Sequence, residues 1–212
     1  LQRNMAFPAV ATEDIKIGVA LSACREAYNQ KSGARTEFQL ARVLDKAGQK
    51  IQSQRILGEA AEHGHALAMT NYAVLVGEGG DIATEFALNQ KAAAAGNILA
   101  AYNLGVSYRD GMGTSVNGEL AIAWFERASL AGDDVAAFNL AVILDEGKLV
   151  AEDNAKAAKF YRLAADRGNV DAMVNLGLML ENGEGINKDI PAAREIFRKA
   201  ANEGDAFAGQ KL

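Results

Sequence analysis

The stretch that decides the fold is NILAAYNLGVSYRDGMGTSVNGELAIAWFERASLAG, residues 97–132, because its pattern returns along the chain. The glycine at its end, Gly132, has counterparts at a spacing of 36 residues, which are Gly96, Gly168 and Gly204. Two earlier members, Gly33 and Gly64, stand at the shorter spacings of 31 and 32 residues. A period of this length is typical of proteins built from stacked helical repeats.

Each repeat is predicted to end in an α-helix, called helix B, that precedes the glycine. Small or apolar residues stand eleven, eight, seven, four and three positions before Gly132, which is the spacing of one helical stripe. An Asn or Asp fifteen positions before the glycine suits an N-cap, because its side chain accepts from free backbone N–H groups. The glycine itself fits the left-handed position that follows a helix.

A second helix, helix A, is predicted to begin just after each glycine, and after the four later glycines an Asn or Asp again stands at a capping position, namely Asn97, Asp133, Asn169 and Asp205. Ala100 and Leu104 then mark its buried side, and the small Gly105 lets helices A and B approach closely. The segment from Gly111 to Gly113 belongs to the loop that joins helix A to helix B. Since neither helix can bury its stripe alone, stacking of neighbouring pairs is expected to form the core.

This pattern predicts an all-α fold, a right-handed α/α superhelical solenoid of stacked antiparallel helix pairs. A flexible N-terminal arm is expected over residues 1–12, a leading helix over 13–33, and a truncated or capping segment over 205–212. Between them, residues 34–204 are predicted to form five helix pairs, at 34–64, 66–96, 98–132, 134–168 and 170–204.

The repeats resemble the Sel1-like repeat, a relative of the tetratricopeptide repeat, over roughly residues 34–212. The residues that carry the resemblance are Ala100, Leu104, Gly105, Tyr108, Gly111, Gly113, Asn117, Ala121, Trp124, Ala128 and Gly132, and residues 170–204 match nearly as well. The resemblance implies a bacterial protein- or peptide-binding adaptor, periplasmic or secreted, with a cytoplasmic location as the alternative. Some disulfide-rich relatives have been linked to penicillin-like ligands, but their paired cysteines are missing here, where Cys24 is the single cysteine.

Composition narrows the class of partner. The 212 residues are 50% apolar, which is enough to bury a sizeable core. The net charge of −5, with both signs interspersed, argues against nucleic acid as the partner. No apolar run reaches the ~18–20 residues that cross a bilayer, so no membrane insertion is expected. A protein or peptide partner is therefore predicted, and the open ends of the array leave room for self-association.

A row of amides is the candidate partner-binding feature. Each amide stands one residue before the core Leu or Tyr of a helix A, the helix that usually lines the concave face of such a superhelix. Asn is a poor helix former, and its amide offers both donors and an acceptor, which suits the backbone of an extended peptide. The alternative is that each amide holds the neighbouring repeat in place. The row consists of Gln39, Asn71, Asn103, Asn139 and Asn175.

An acidic strip is predicted at the C-terminal ends of the same helices. It is interpreted as a rim in solvent, with attraction of a basic partner as the alternative. The strip consists of Glu78, Asp110, Asp145, Glu146 and Glu181.

No residue set predicts catalysis, a metal site or a cofactor. His63 and His65 are too few for zinc, which usually takes three or four protein ligands. Cys24 lies among alanines and is interpreted as a small buried hydrophobe. Four aromatic residues on the helix B stripe are predicted to be core, namely Trp124, Phe125, Phe160 and Tyr161.

The sequence therefore predicts a non-enzymatic binding scaffold. The alternatives are a hydrolase that acts on a cell-wall or β-lactam type ligand, and a structural spacer domain of a larger protein.

Overall fold

The computed structural model describes residues 16–31 and 33–212, and every regular element in this part of the chain is an α-helix. The predicted all-α fold of antiparallel helix pairs is thus confirmed. The predicted arm over residues 1–12 and the first residues of the predicted leading helix lie outside the described residues. The chain divides into two compact units, Leu1–Asn97 and Ile98–Leu212, called unit 1 and unit 2.

Unit 1 contains one leading helix and two helix pairs. Its helices are α1 (Ile17–Asn29), α2 (Ala34–Lys46), α3 (Lys50–Glu62), α4 (Ala66–Glu78) and α5 (Ile82–Ala94). Here α2 and α4 are helices A, and α3 and α5 are helices B. Each of the five has 13 residues, which makes it about 20 Å long.

Unit 2 contains three helix pairs and a short last helix. Its helices are α6 (Ile98–Asp110), α7 (Gly118–Leu130), α8 (Asp134–Glu146), α9 (Asn154–Asp166), α10 (Val170–Asn182), α11 (Ile190–Asn202) and α12 (Ala206–Gln210). Here α6, α8 and α10 are helices A, and α7, α9 and α11 are helices B. Residues 111–117 join α6 to α7, whereas residues 47–49 suffice to join α2 to α3 in unit 1.

Short polar side chains start the helices as the sequence indicates. The Asn117 carboxamide oxygen accepts from the Leu120 backbone N–H at 3.0 Å and so caps α7. In unit 1, Gln49 makes no such bond at the start of α3, and its side chain accepts from Arg25 at 2.9 Å instead. Equivalent side-chain caps start α8, α9, α10, α11 and α12, at Asp133, Asp153, Asn169, Asp189 and Asp205.

The glycine that sets the period closes helix B. At the end of α7, the Asp133 N–H donates to the Ala128 carbonyl at 3.1 Å and the Gly132 N–H donates to the Ser129 carbonyl at 2.9 Å. This pairing satisfies two of the free carbonyls at the helix end and needs a residue in the left-handed region. Gly132 supplies it with φ of 113°.

The core of unit 2 is built around one aromatic ring per pair, on the helix B residue seven positions before the glycine. Phe125, Tyr161 and Phe197 hold this position and are buried. Phe125 lies so close to α6 that a Cβ on Gly105 would come within 2.6 Å of its ring, and Gly177 stands in the same relation to Phe197. Small helix A residues are therefore what allow the pairs to close.

The prediction that four helix B aromatics are core is correct for two of them. Phe125 and Tyr161 are buried, whereas Trp124 and Phe160 are half-buried. The Arg127 guanidinium lies 5.3 Å from the centre of the Trp124 ring. In unit 2 the buried stripe of helix B is thus centred seven positions before the glycine, and the residue eight positions before it lies at the stripe's edge, whereas in α3 the residue eight positions before Gly64, Ile56, is fully buried.

Candidate functional site

The outward faces of helices A in unit 2 carry apolar side chains that their own repeats do not cover. Leu99 at the start of α6 is 49% exposed, and Val135 at the same place in α8 is 42% exposed. About two turns further along these helices, and at the matching place in α10, Val106, Val142 and Leu178 are half-buried. We call these five residues the helix A face. A contiguous exposed apolar patch is the feature that marks a candidate interaction surface on a folded protein.

The outward faces of the helices B look different. On α9 the exposed positions hold Lys156, Lys159 and Arg162, and on α11 they hold charged residues as well, namely Arg194, Glu195, Arg198 and Lys199. Such a face is well solvated and has no need of a partner. On α9 and α11 the outward side is therefore charged, whereas α7 exposes Leu120 and Leu130. The side that carries the predicted amide row is apolar on α6 and α8.

In unit 2 the amide row lies among the residues of the helix A face, and the members of the row along the chain are not equivalent. In unit 1, Gln39 is half-buried and accepts from Arg42 at 3.3 Å, while Asn71 is exposed. In unit 2, Asn103, Asn139 and Asn175 are half-buried. The contacts of each amide therefore decide what it can offer a partner.

Asn139 is engaged on both sides by the chain itself. Its amide nitrogen donates to the Val135 carbonyl one turn earlier at 2.9 Å. Its oxygen accepts from the Arg109 guanidinium on the preceding helix A at 2.6 Å. Arg109 also holds the carboxylate of Asp110 at 2.7 Å through two nitrogens and lowers the pKa of that carboxyl. This network follows the alternative interpretation of the row, in which an amide fastens neighbouring repeats.

Asn175 belongs to a second network, centred on the buried Tyr161. The Tyr161 hydroxyl donates to the Asp145 carboxylate at 3.1 Å, and the Asn175 side chain also forms a hydrogen bond with Tyr161. Burial raises the pKa of Tyr161 above its usual range, and the charge of Asp145 adds to the effect. Burial also raises the pKa of Asp145. The network therefore ties α8, α9 and α10 together with a neutral hydroxyl.

The acidic strip is largely paired with basic or hydroxyl groups of the same chain. Besides the Asp110 and Asp145 contacts, Glu146 lies 3.3 Å from the Lys148 ammonium. Glu181 lies 2.6 Å from the ammonium of Lys211. The carboxylates of unit 2 are therefore weaker attractors of a basic partner than their number indicates.

The two histidines flanking Gly64 serve local structure. The His63 Nδ1 lies 2.8 Å from the Glu37 carboxylate, and this partner raises the pKa of His63. The His65 ring stacks on Phe38 at 4.4 Å, and its Nδ1 accepts from the Ala68 N–H at 3.2 Å, as an N-cap does. Burial lowers the pKa of His65. In residues 16–31 and 33–212, no three metal-ligating side chains come together.

Cys24 lies half-buried on α1, and this burial raises the pKa of its thiol above the ordinary value. A raised pKa keeps the sulfur as the unreactive thiol at neutral pH.

A polar cluster in unit 1 has no counterpart in the sequence analysis. The Tyr28 hydroxyl donates to Glu59 at 2.6 Å, and Arg55 donates to the same carboxylate at 2.5 Å. Tyr28 and Glu59, together with the pair of Glu37 and His63, line a cavity of about 740 Å³ beside α1, α2 and α3. Each carboxylate already accepts from a group of the chain, so the cluster connects three helices and holds no free base. Spacing could not reveal it, because α1 has no repeat partner.

The described part of the chain contains no helix with the length and apolar character of a membrane span.

Antiparallel helix pairs, each packed on the next within its unit, define an α-solenoid repeat protein. A family model described as Sel1 repeat matches residues 98–133, 134–169 and 170–205, which is just over half of the chain. The chain belongs to the Sel1 repeat family, as the resemblance predicts, and all three matched segments begin in unit 2. A comparison with curated proteins finds no match.

Solved structures with the same fold include a Sel1 repeat protein from Oxalobacter formigenes, at 25% identity and a TM-score of 0.75 over 90% of this chain. Another is c5321, a protective antigen of uropathogenic Escherichia coli, at 21% identity and a TM-score of 0.74 over 89% of this chain. This chain spans 57% and 50% of their respective lengths. The TPR protein YrrB, described as having an unusual peptide-binding site, matches at 18% identity and a TM-score of 0.57, over 91% of this chain and 98% of its own length. Sel1-like and TPR-like arrays are typical scaffolds for protein–protein interaction.

Proposed function

We propose that this protein is a non-enzymatic scaffold that binds a polypeptide segment on the outward faces of its helices A. The observation that carries the proposal is the apolar outward side of α6 and α8 beside the charged outward sides of α9 and α11. An extended peptide suits this surface, because it can follow several helices in turn and bury apolar side chains against each. The peptide-binding site of YrrB, a protein of the same general fold, is consistent with such a use.

In this proposal, the members of the amide row have different roles. Asn71 is exposed and is the strongest candidate for contact with the partner's backbone. Gln39 and Asn103 hold the same position in their own helices A and take secondary roles. Asn139 and Asn175 act indirectly, because their networks hold the helices that carry the apolar residues.

We further propose that the protein works in the bacterial periplasm or outside the cell, where envelope proteins are its partners. A fractionation of the native cell with an antibody against the chain tests this location separately from the binding surface.

The binding surface is tested by capture from an extract of the native cell with matched columns. One column carries the unaltered chain, and a second carries a face variant with Leu99→Ser and Val135→Ser. A third carries a control with Lys159→Ser and Arg162→Ser on the outward side of α9. Circular dichroism first establishes that all three are folded.

A partner that the face variant loses and the control keeps supports the proposal. We expect an affinity loss of at least about tenfold for the identified partner, because two exposed apolar side chains leave the interface. Retention by all three columns, or equal loss from both variants, would place binding elsewhere.

A further inference from the structure

A cleft of about 350 Å³ opens in unit 1 between α2, α3 and α4. Phe38 and Ala41 of α2 and Leu57 of α3 form its buried floor, with 6%, 2% and 8% of their surface exposed. Leu75 of α4 forms a half-buried wall. The Ser53 hydroxyl also borders the cleft, but it donates a hydrogen bond to the Ala41 carbonyl at 2.8 Å. The remaining inner surface of the cleft is therefore apolar.

The cleft exists because unit 1 departs from the repeat. Leu57 stands seven positions before Gly64, at the place where Phe125, Tyr161 and Phe197 stand before the glycines of unit 2. There the aromatic ring fills the angle between helix A and helix B. A leucine is shorter than a ring, so the first pair keeps an open space that the later pairs fill from within.

The rim of the cleft is polar and carries more positive than negative charge. Lys50 lies 3.6 Å from Asp45, and both side chains are more than half exposed. The Arg42 guanidinium lies 6.0 Å from the centre of the Phe38 ring. The rim therefore holds two cations and one anion, of which Lys50 is close to Asp45 and Arg42 donates to Gln39 at 3.3 Å, in a chain whose net charge is −5. This local reversal of charge favours an acidic neighbour over a basic one.

Asn71 lines the same cleft from α4. It is exposed, and among the described residues no group hydrogen-bonds its amide. A backbone that passes the mouth of the cleft would find both a donor and an acceptor there. Thus the one exposed amide of the row coincides with an apolar cleft.

We propose that this cleft anchors one large apolar side chain, Leu or Phe, of an extended peptide whose adjacent residues are acidic. The side chain enters between Phe38 and Leu57, the peptide backbone pairs with Asn71, and the acidic neighbours face Arg42 and Lys50. This inference rests on the proposed function and adds the place and chemistry of its main contact. An anchor of this kind suits a peptide interface, since a few buried side chains carry most of the binding energy.

The test uses fluorescein-labelled peptides that differ only at the centre of acetyl-Gly-Asp-X-Asp-Gly-Lys(fluorescein)-amide, where X is Leu, Phe, Ala or Lys. Their binding to the full chain is measured by fluorescence anisotropy up to about 1 mM, the upper range of weak affinities. We expect the Leu and Phe peptides to bind at least about tenfold more tightly than the Ala and Lys peptides, because only they fill the cleft.

Variants of the protein then locate the site. Leu57→Phe, which places the unit 2 ring in unit 1, is expected to weaken the Leu peptide at least about tenfold. Leu130→Phe adds the same ring at an exposed position at the end of α7, on a helix B of unit 2 away from the cleft, and is the matched control, with affinity unchanged. Because the comparison among peptides needs no variant, the test holds even if Leu57→Phe fails to fold.

Three results would each overturn this inference: equal binding of all peptides, no binding of any peptide, or a folded Leu57→Phe variant with unchanged affinity. If Leu57→Phe leaves the peptide affinity unchanged but changes the molecular mass measured by light scattering, the cleft joins two copies of the chain and the peptide anchor is wrong. The proposed function is contradicted by a different result, which is retention of the partner by the variant with Leu99→Ser and Val135→Ser. This variant leaves the cleft intact. The two failures are thus distinguishable.

Discussion

Unit 2 repeats one packing solution three times, whereas unit 1 varies it. In unit 2 an aromatic ring lies against the neighbouring helix A at Phe125, Tyr161 and Phe197. In unit 1 the same position holds Leu57 and then Asn89. The difference teaches that a helical array gains regularity from its repeated residues and acquires individual sites where the repetition stops. The family model follows the regular part, and the apolar cleft lies in the other.

The largest effect should come from removing a ring of unit 2. Phe125→Ala is expected to lower the free energy of unfolding by about 3–5 kcal/mol, since it deletes a fully buried ring. Leu57→Ala should fall near the low end of the about 2–5 kcal/mol typical of leucine, because its side chain borders an open cleft. Urea unfolding followed by circular dichroism measures both. Equal losses would mean that the two units are packed alike.

A smaller loss of unfolding free energy is expected at Gly105, where unit 2 requires a glycine. Gly105→Ala places a Cβ 2.6 Å from the Phe125 ring and should cost about 1–3 kcal/mol. Gly209→Ala, where a Cβ would meet nothing within 4 Å, is the control and should be neutral or stabilise by up to about 1 kcal/mol.

The same glycine tests the reason for the difference between the units. In a Phe125→Leu background, which imitates the pairing of Ala41 with Leu57, the cost of Gly105→Ala should largely disappear. A double-mutant cycle in urea gives this interaction energy. An unchanged cost would show that crowding by the ring is not the cause.

Helix capping also differs between the two units, and substitutions at the caps should change the free energy of unfolding by a smaller amount. Asp153→Ala should destabilise unit 2 by about 1 kcal/mol, because its carboxylate accepts from the Lys156 N–H. In unit 1, Gln49→Asp should stabilise by about 0.5–1 kcal/mol, since Asp81 caps α5 from nearly the same backbone angles. Thermal unfolding of the two variants and of the unaltered chain checks this prediction. The melting temperature should fall for Asp153→Ala and rise for Gln49→Asp.

The smallest effect is a pH dependence confined to unit 1. The Glu37 carboxylate raises the pKa of His63 above its unfolded value of about 6.5. The pair therefore contributes its full stability below about pH 6.5, and this contribution is lost as the pH rises through the raised pKa. We expect a slightly lower urea midpoint at high pH in the unaltered chain and no such step in Glu37→Gln. A step that persists in this variant would assign the titration to another group.

Much of the fold could be predicted because its signals are local and repeated. Asn117 caps α7 and Gly132 ends it within a few residues, so spacing alone indicates both helix ends. The position of the amide row on the helices A also follows from the period. These features need no knowledge of which helix packs on which.

The contacts that decide the role of each amide could not be predicted, because they involve residues that do not repeat. The place of Arg109, which binds Asn139, is taken by Asp145 and Glu181 in the next two repeats. The bond from Tyr28 to Glu59 joins the leading helix to α3, and no spacing aligns these two helices. The cleft depends on the size of Leu57 relative to a ring, which becomes meaningful only when the packing is known.

Within each unit, the helices that make most contacts with one another are neighbours along the chain. The loops that folding must close are therefore short, and the contact order is low, which favours rapid folding. A helix pair can acquire its partners soon after it leaves the ribosome, without waiting for the C-terminal residues. During synthesis, apolar stripes are thus exposed for about the time needed to translate one more helix.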